Sequence, residues 1–397
     1  MSAPKVRLLE LRNTYKWGGG PDKTILLSAE RHSPSRVKVV VAYVRDGRDR
    51  EFQVGDRAGA KGLTFYDIQE YGKLDFRVLA AIRRIILEHD INLIHSHDYK
   101  SDLFAYLVRR WSWRRRIALM STAHAWVILG TRGDLYRKLD LLLMRRFDQL
   151  IAVSHSTKKE MVDAGVPASS IEVIHNAIDT DSWSIRQVAK NLREPLGLVG
   201  AFPVVGYVGR IMPEKDLTTW LRAAAVLSSA YPSARFVLVG DGRDGSTQRE
   251  LEELAGSLGI GDRVIFTGYR RDLLPVYASF DIFLLTSRRE GLPNSLLEAM
   301  AMGVPVVTSD VAGAKELVVE GQTGFVLPQG DVAGIARALI TLTTDDRQRA
   351  RMGQAGRERV EQDFSFAARL QRMEELYQRV IFTSESYRSH MTSQQLT

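Results

Sequence analysis

The sequence predicts a mixed α/β protein of two doubly wound domains, each built on a parallel sheet. Three observations lead there: the length, a repeated alternation of short apolar runs with longer amphipathic ones, and one polar stretch midway that lacks any period. At 397 residues the chain exceeds what one ordinary core holds and suits two domains. Runs rich in Val, Ile and Leu with little polar alternation are what strands become when helices cover both faces of a parallel sheet.

In the first half, strands are expected at Val6–Leu11, Val37–Tyr43, Ile91–His95, Ile117–Ser121, Leu150–Val153 and Ile171–Ile174. Helical stretches such as Phe76–Glu88, Leu103–Trp111 and Asp134–Phe147 lie between them. The pattern starts afresh with strands at Val204–Val208, Arg235–Val239, Val264–Phe266, Ile282–Leu285, Pro305–Thr308 and Phe325–Leu327. Roughly Asp179 to Leu198 is polar and aperiodic, the expected linker between a first domain over residues 1–182 and a second over 199–365. Two final helices, Arg347–Glu361 and Phe366–Ile381, precede a polar tail from Thr383 that is expected to fray.

Composition excludes several classes. Hydrophobic residues at 45% and charged residues at 26% argue against disorder on a large scale. Without cysteine there are no disulfides, thiolate metal sites or cysteine nucleophile. No segment approaches the roughly 20 apolar residues that span a bilayer. Met1 to Leu11 lacks the apolar stretch of a signal peptide. The expectation is a cytoplasmic protein, at most peripheral at the inner face of the membrane. The formal charge of +8 favours anionic partners.

The most specific segment is Glu290-Gly-Leu-Pro-Asn-Ser-Leu-Leu-Glu298, followed by Ala299-Met-Ala-Met-Gly303-Val-Pro305. It begins just beyond a buried strand and enters a helix with Asn294 as its expected N-cap. The first-turn N–H groups of Ser295 and Leu296 then face the crevice at the strand's carboxyl end, where an anion is stabilised. Glu298, one turn in, can accept from a ligand hydroxyl beside that anion, and Glu290 can reach the same ligand from the loop. Taken singly, each glutamate also reads as a solvated side chain. The second segment, Gly206-Tyr-Val-Gly209-Arg210-Ile-Met-Pro-Glu-Lys215, follows the first strand of the second domain. Two cations five residues apart can straddle a diphosphate, Arg as a fork and Lys as a point charge.

These segments resemble the retaining glycosyltransferases of the GT-B fold often called family 4, or group 1, whose mark is two glutamates separated by seven residues. The resemblance covers nearly the whole chain. It implies two Rossmann-like domains with parallel sheets facing across a cleft, the donor's diphosphate between them, and a last helix, Phe366–Ile381, that with its tail (residues 366–397) crosses back to the first domain. It further implies that Glu298 holds the donor ribose, that Glu290 sits near the donor sugar, and that Arg210 and Lys215 bind the phosphates and steady the leaving group. Tyr269 and Arg270, in Phe266-Thr-Gly268-Tyr269-Arg270, match the turn that reads the nucleotide base. Ser309-Asp310-Val-Ala312-Gly313 departs from the usual Gly-Gly pattern, which puts close backbone approach at Ala312 in doubt.

In the first half, Trp17-Gly18-Gly19-Gly20-Pro21 follows the first strand, and its glycines let backbone N–H groups approach a phosphate or sugar. It lacks the G-x-G-x-x-G spacing, and no acidic residue sits evidently at the end of the second strand, so a nicotinamide site is disfavoured. The resemblance makes Gly19 and Gly20 the candidates for facing the diphosphate and sugar. It also implies that His124, in Ser-Thr-Ala-His124-Ala125, approaches the reacting sugar, with Ala125 where glycine is common. A lone histidine is as readily structural. His95-Ser-His97-Asp98 offers two imidazoles on one strand face but no evident third ligand, so no metal is expected, and His97 is placed on the acceptor side.

Arg109–Arg116 packs five arginines with Trp111 and Trp113. It reads as a surface for anionic lipid headgroups, as a solvated helix end with its tryptophans in the core, or as a nucleic-acid contact, for which no motif accompanies it. The expected reaction is metal-independent transfer of a hexose-type unit from an NDP-sugar (UDP- or GDP-linked), with no resident cofactor, to a hydroxyl of a glycan or lipid-linked acceptor. Two rivals stand beside it: an NDP-sugar epimerase on the same scaffold, and an inactive glycan- or nucleotide-binding protein.

Overall fold

The computed structural model describes residues 6–16, 18–50, 52–72, 75–124, 141–242 and 245–394, with side chains to residue 383. Trp17, Ala125 and the start of the expected helix Asp134–Phe147 lie outside the described residues. The chain forms two compact units: Met1–His175 together with Ala367–Thr397, and Asn176–Phe366.

The first unit carries β1 (Val6–Asn13), α1 (Gly20–Arg31), β2 (Val37–Asp46), α2 (Val54–Ala60), β3 (Phe65–Glu70), α3 (Phe76–Glu88), β4 (Leu93–Ser96), α4 (Tyr99–Trp111), β5 (Ala118–Ala123), β6 (Gln149–Ala152), α5 (His155–Asp163) and β7 (Ile171–Val173). Its seven strands are all parallel in the order β3-β2-β1-β4-β5-β6-β7. Val78, Ile82 and Ile85 of α3 and Phe104 and Val108 of α4 bury against one face. On the other face Ile25 and Leu26 of α1 pack with Val41 and Tyr43.

Beside them lies the final helix, α13 (Phe366–Gln394). Its Met373, Leu376, Tyr377, Val380 and Ile381 close over Val6, Leu8, Leu93, Met120 and Ile151, so it crosses back to the first unit's sheet. Residues 373, 376, 377, 380 and 381 share one face of a 3.6-residue period, which is why they bury together.

The second unit carries β8 (Val204–Val208), α6 (Leu217–Ala230), β9 (Arg235–Val239), α7 (Ser246–Ser257), β10 (Val264–Phe266), α8 (Leu274–Tyr277), β11 (Ile282–Leu285), α9 (Asn294–Ala301), β12 (Val306–Ser309), α10 (Ala314–Leu317), β13 (Gly324–Leu327), α11 (Val332–Thr344), α12 (Asp346–Asp363) and the start of α13 (Phe366–Gln394). Its six parallel strands run β10-β9-β8-β11-β12-β13. Trp220 of α6 is fully buried and donates from its indole to the Leu284 carbonyl at 3.1 Å, fixing helix to sheet.

Several expectations change in detail. The second strand runs on to Asp46, so an acidic residue does stand at its end; that carboxylate is taken by Arg48 at 2.7 Å. Strand β3 and helix α2 were not expected. β3 is a sheet edge whose Phe65-Tyr-Asp-Ile-Gln-Glu70 alternates rather than forming an apolar run. α13 continues as helix to Gln394 instead of giving way to a frayed tail at Thr383. Residues 180–183 are no loose linker, because the Arg357 guanidinium donates to the carbonyls of Thr180 (2.8 Å), Trp183 and Ala301.

Candidate active site

In open parallel α/β sheets, ligands bind at the carboxyl ends of the strands where the strand order reverses. In the second unit that point lies between β8 and β11, and the loops leaving these strands hold the two segments singled out above. They are laced together. The Arg288 N–H donates to the Glu214 carbonyl at 2.8 Å, and the Thr286 hydroxyl donates to the carbonyls of Lys215 and Asp216 at 3.1 and 3.0 Å. The Arg288 guanidinium pairs with Asp216 at 3.1 Å, and Lys215 Nζ meets Glu290 Oε1 at 2.7 Å. That same carboxylate oxygen accepts from the Ser287 hydroxyl at 2.7 Å.

Lys215 and Glu290 are therefore one ion pair rather than two independent contacts with a ligand. An ammonium has three donors, so a Lys held by Glu290 keeps capacity for a phosphate oxygen. Arg210 is exposed, on a loop whose backbone is fixed by Gly209 N–H to Val239 O (3.0 Å) and Ile211 N–H to Asp241 O (2.9 Å). Close approach of these loops requires glycine at position 240: φ is +132°, and a Cβ would lie 1.9 Å from the Gly209 carbonyl oxygen. The doubt over the missing glycine at 312 is answered next door. At Gly313 (φ +76°) a Cβ would lie 2.2 Å from the Gly291 carbonyl oxygen, so Gly313 makes the close approach.

Helix α9 starts differently from expectation. Its N-cap is Pro293 and Asn294 is the first helical residue, with an Oδ1 that is buried and unpartnered among the described residues. The Leu296 N–H is spent on the Pro293 carbonyl at 3.2 Å, and its side chain is fully buried. Asn294 and Ser295 are thus the residues at the helix's open end. Glu298 is no solvated side chain: it is 5% exposed, and Tyr277 Oη donates to its Oε2 at 2.8 Å. Burial and the neighbouring Glu298 push the Tyr277 phenol up, so it stays a protonated donor. Tyr269 is 40% exposed on the loop after β10, the outermost strand; Arg270 beside it is half-buried.

In the first unit the order reverses between β1 and β4. Asp98 caps α4, accepting from Lys100 and Ser101 N–H at 3.0 Å, while its other oxygen takes the Asn13 N–H at 2.7 Å. The glycine loop is held from beneath. Asp22 accepts from the Gly19 N–H at 2.5 Å and pairs with Arg12 at 2.7 Å, so the Gly19 N–H is already committed; Gly20 opens α1.

His124 follows β5, and the sequence did not foresee its surroundings. His124 Nε2 lies 3.1 Å from His97 Nδ1, and His97 Nε2 lies 2.6 Å from Glu10 Oε2. Glu10 also faces His95 Nδ1 at 3.3 Å and accepts from Tyr377 Oη at 3.3 Å. Glu10 is thus the third group that spacing alone did not reveal, and with His95 and His97 it offers three ligand-type atoms within 4.8 Å. All four nitrogens of His95 and His97 already face protein partners: Glu10 and Tyr377, Thr122, and His124. Burial alone would raise the Glu10 carboxyl, but the two imidazoles override it and hold it well below the usual carboxylate range. Burial lowers His97 to about 4, and burial with His97 nearby lowers His124 well below the ordinary imidazole value.

The tryptophans of the arginine-rich stretch are not in the core: Trp111 is 52% and Trp113 72% exposed, under Arg83 and Arg114 at 5.1 and 5.0 Å. Arg109 and Arg115 are tied to Asp148 and Asp90. Among the described residues no helix is long and apolar enough to cross a membrane.

Known proteins share this architecture. Residues 188–359 match the family described as Glycosyl transferases group 1, and residues 18–182 match Glycosyltransferase Family 4. The chain is 32% identical over 312 residues to a GDP-mannose-dependent α-(1-6)-phosphatidylinositol monomannoside mannosyltransferase of Mycolicibacterium smegmatis, covering 75% of this chain and 79% of that one. It is 27% identical over 319 residues to an N-acetyl-α-D-glucosaminyl L-malate synthase of Bacillus anthracis, covering 80% and 82%. In fold it matches Anabaena HepE bound to UDP and glucose, with a TM-score of 0.81 at 23% identity over 94% of this chain and 99% of that one. With two parallel-sheet units, charged loops at a strand-order reversal and these relatives, the chain belongs to the group 1 glycosyltransferases of the GT-B fold, enzymes that use nucleotide-sugar donors in glycan synthesis.

Proposed function

We propose that the enzyme moves a hexose unit from a UDP- or GDP-linked donor to an acceptor hydroxyl with retention at the anomeric carbon, needing neither metal ion nor cofactor, in polysaccharide or lipid-linked glycan synthesis. The observation that carries the reading is the lacing of the β8 and β11 loops through Lys215–Glu290 and Arg288–Asp216. It presets Lys215, beside the loop of Arg210, where charge grows on the departing diphosphate, the kind of preorganisation that lowers a barrier. Glu298 takes the ribose hydroxyls, Asn294 and Ser295 a phosphate oxygen, and Tyr269 and Arg270 flank the base. Within the first unit, His124 and, with the Gly19 N–H held by Asp22, Gly20 are the groups we assign to contact with a sugar.

For a retaining transfer, what the carboxylates are doing supports a front-face route over double displacement. Glu10 is buried beneath three rings, and Glu290 is engaged by Lys215 and Ser287, so neither is a ready nucleophile. The departing phosphate is then the base that takes the acceptor's proton on the same face. The names of relatives that act on a phosphatidylinositol mannoside and on a diphosphoundecaprenol-linked sugar support a lipid-linked acceptor. Trp111, Trp113 and their arginines supply peripheral contact with anionic headgroups.

The test is transfer from UDP- and GDP-sugars to a panel of lipid-linked and free glycans in EDTA, with the product's anomeric configuration read by NMR. The expected result is a retained anomer at a rate that chelation does not change. An inverted product, or a rate that collapses with EDTA, would overturn the reading; an epimerised donor formed without acceptor would favour the epimerase. Sedimentation with phosphatidylglycerol vesicles should weaken on replacing both tryptophans by alanine; equal sedimentation would remove the membrane contact.

A further inference from the structure

From the buried chain Glu10–His97–His124 we infer that Glu10 and His97 are positioning residues that fix His124 as an acceptor of a hydrogen bond from a sugar hydroxyl. This rests on the proposed glycosyl transfer. It goes beyond it in stating which nitrogen of His124 carries the proton and what sets it.

The assignment follows from counting donors. An ionised carboxylate only accepts, so the His97 nitrogen at 2.6 Å from Glu10 must carry hydrogen. A neutral imidazole has one N–H, which leaves His97 Nδ1 with a lone pair and makes His124 Nε2, at 3.1 Å, the donor to it. His124 Nδ1 is then the lone-pair end, and it is covered and unpartnered among the described residues. Buried polar atoms without partners are scarce in folded proteins and point to a ligand.

The rest of the cluster agrees with this direction. Tyr377 donates to Glu10 Oε1, so its oxygen is free to accept from His95 Nδ1 at 3.0 Å, and His95 Nε2 accepts from the Thr122 hydroxyl at 2.7 Å. Arg12 on β1 and Arg369 on α13 are the other charged groups facing the chain, and both oppose a second positive charge there. Burial chiefly, aided by Arg12 at both rings and by Arg369 at His124, keeps His97 and His124 neutral.

Glu10→Gln changes almost no volume but replaces an acceptor with a donor. Tyr377 still claims the amide oxygen, so the amide NH₂ faces His97 and forces its proton to Nδ1. His124 must then accept at Nε2 and carry hydrogen on Nδ1.

The test is histidine ¹⁵N NMR with kinetics. In the wild-type protein His124 is expected as the neutral Nε2–H tautomer from pH 6 to 9, a measurement that needs no variant to fold. In Glu10→Gln, with an unchanged circular dichroism spectrum, the His124 tautomer is expected to reverse and kcat/KM for the donor to fall about 10- to 100-fold. A wild-type Nδ1–H tautomer would overturn the inference, as would a Glu10→Gln enzyme with the original tautomer or with undiminished turnover despite reversal. Should the tautomers behave as described while wild-type protein turns over no nucleotide sugar, the functional reading fails and the proton assignment stands.

Discussion

The two units present the same topological feature with opposite chemistry. Both sheets reverse order beside their first strand, β1/β4 in one and β8/β11 in the other, and both put their polar groups at the carboxyl ends there. In the second unit those groups are cations on loops, Arg210 and Lys215, the latter braced by Glu290. In the first they are neutral rings sunk in the protein above a single carboxylate, Glu10. A loop cation offers charge to a ligand that carries charge. A buried chain of hydrogen bonds offers direction to a ligand that has only hydroxyls. If the proposed roles hold, one fold meets a diphosphate with charge and a sugar with direction.

The sharpest way to break this contrast is to remove charge from the second unit. Lys215→Ala should lower kcat/KM about 10²- to 10³-fold, the scale for losing one group that stabilises developing negative charge. A change below threefold in steady-state kinetics would show that Lys215 serves only to hold Glu290.

Acid should act on the first unit. The folded-state value of His97 is lowered from 6.5 to about 4, so the unfolded chain binds the extra proton first; this stability is intact above pH 6.5 and is lost as pH falls toward 4, about 3 kcal/mol at most. Glu10, also depressed, adds to the loss below its ordinary value of 4.5. Hydrogen exchange at pH 7 and 5 should show protection falling in β1 and β4 more than in β8 and β11. Equal loss in both would blunt the comparison.

Gly240→Ala should cost about 1–3 kcal/mol in urea unfolding, because its φ and the Gly209 carbonyl leave no room for a methyl. Smaller still, Tyr277→Phe should cost about 1–2 kcal/mol by removing a donor to the buried Glu298 carboxylate. A neutral result there would mean that Glu298 is held by its other contacts.

Legibility in the sequence followed the same division. Strands buried on both faces announce themselves as apolar runs, so β8 and β11 could be read directly, and with them the segments that leave their carboxyl ends; the Lys215–Glu290 pair that ties those segments together could not. What escaped was non-local. Glu10 sits mid-strand in Leu-Leu-Glu-Leu, where a lone acid signals nothing until His97, Tyr377 and His95 are brought around it. The edge strand β3 escaped because its period is that of a half-exposed surface. The Asn294 cap was misplaced by one residue because Pro293, which supplies no side-chain cap, ends the extended segment first.

The path of α13 has a consequence for how the molecule is made. Tyr377 and Glu374 reach Glu10 and His32 across 367 and 342 positions of sequence, and Met373, Leu376 and Val380 roof the first sheet. A ribosome delivers those residues only after the entire second unit has emerged. The portion begun first during synthesis is therefore completed last, and a nascent chain stalled before Ala367 carries an apolar sheet face still waiting for its cover.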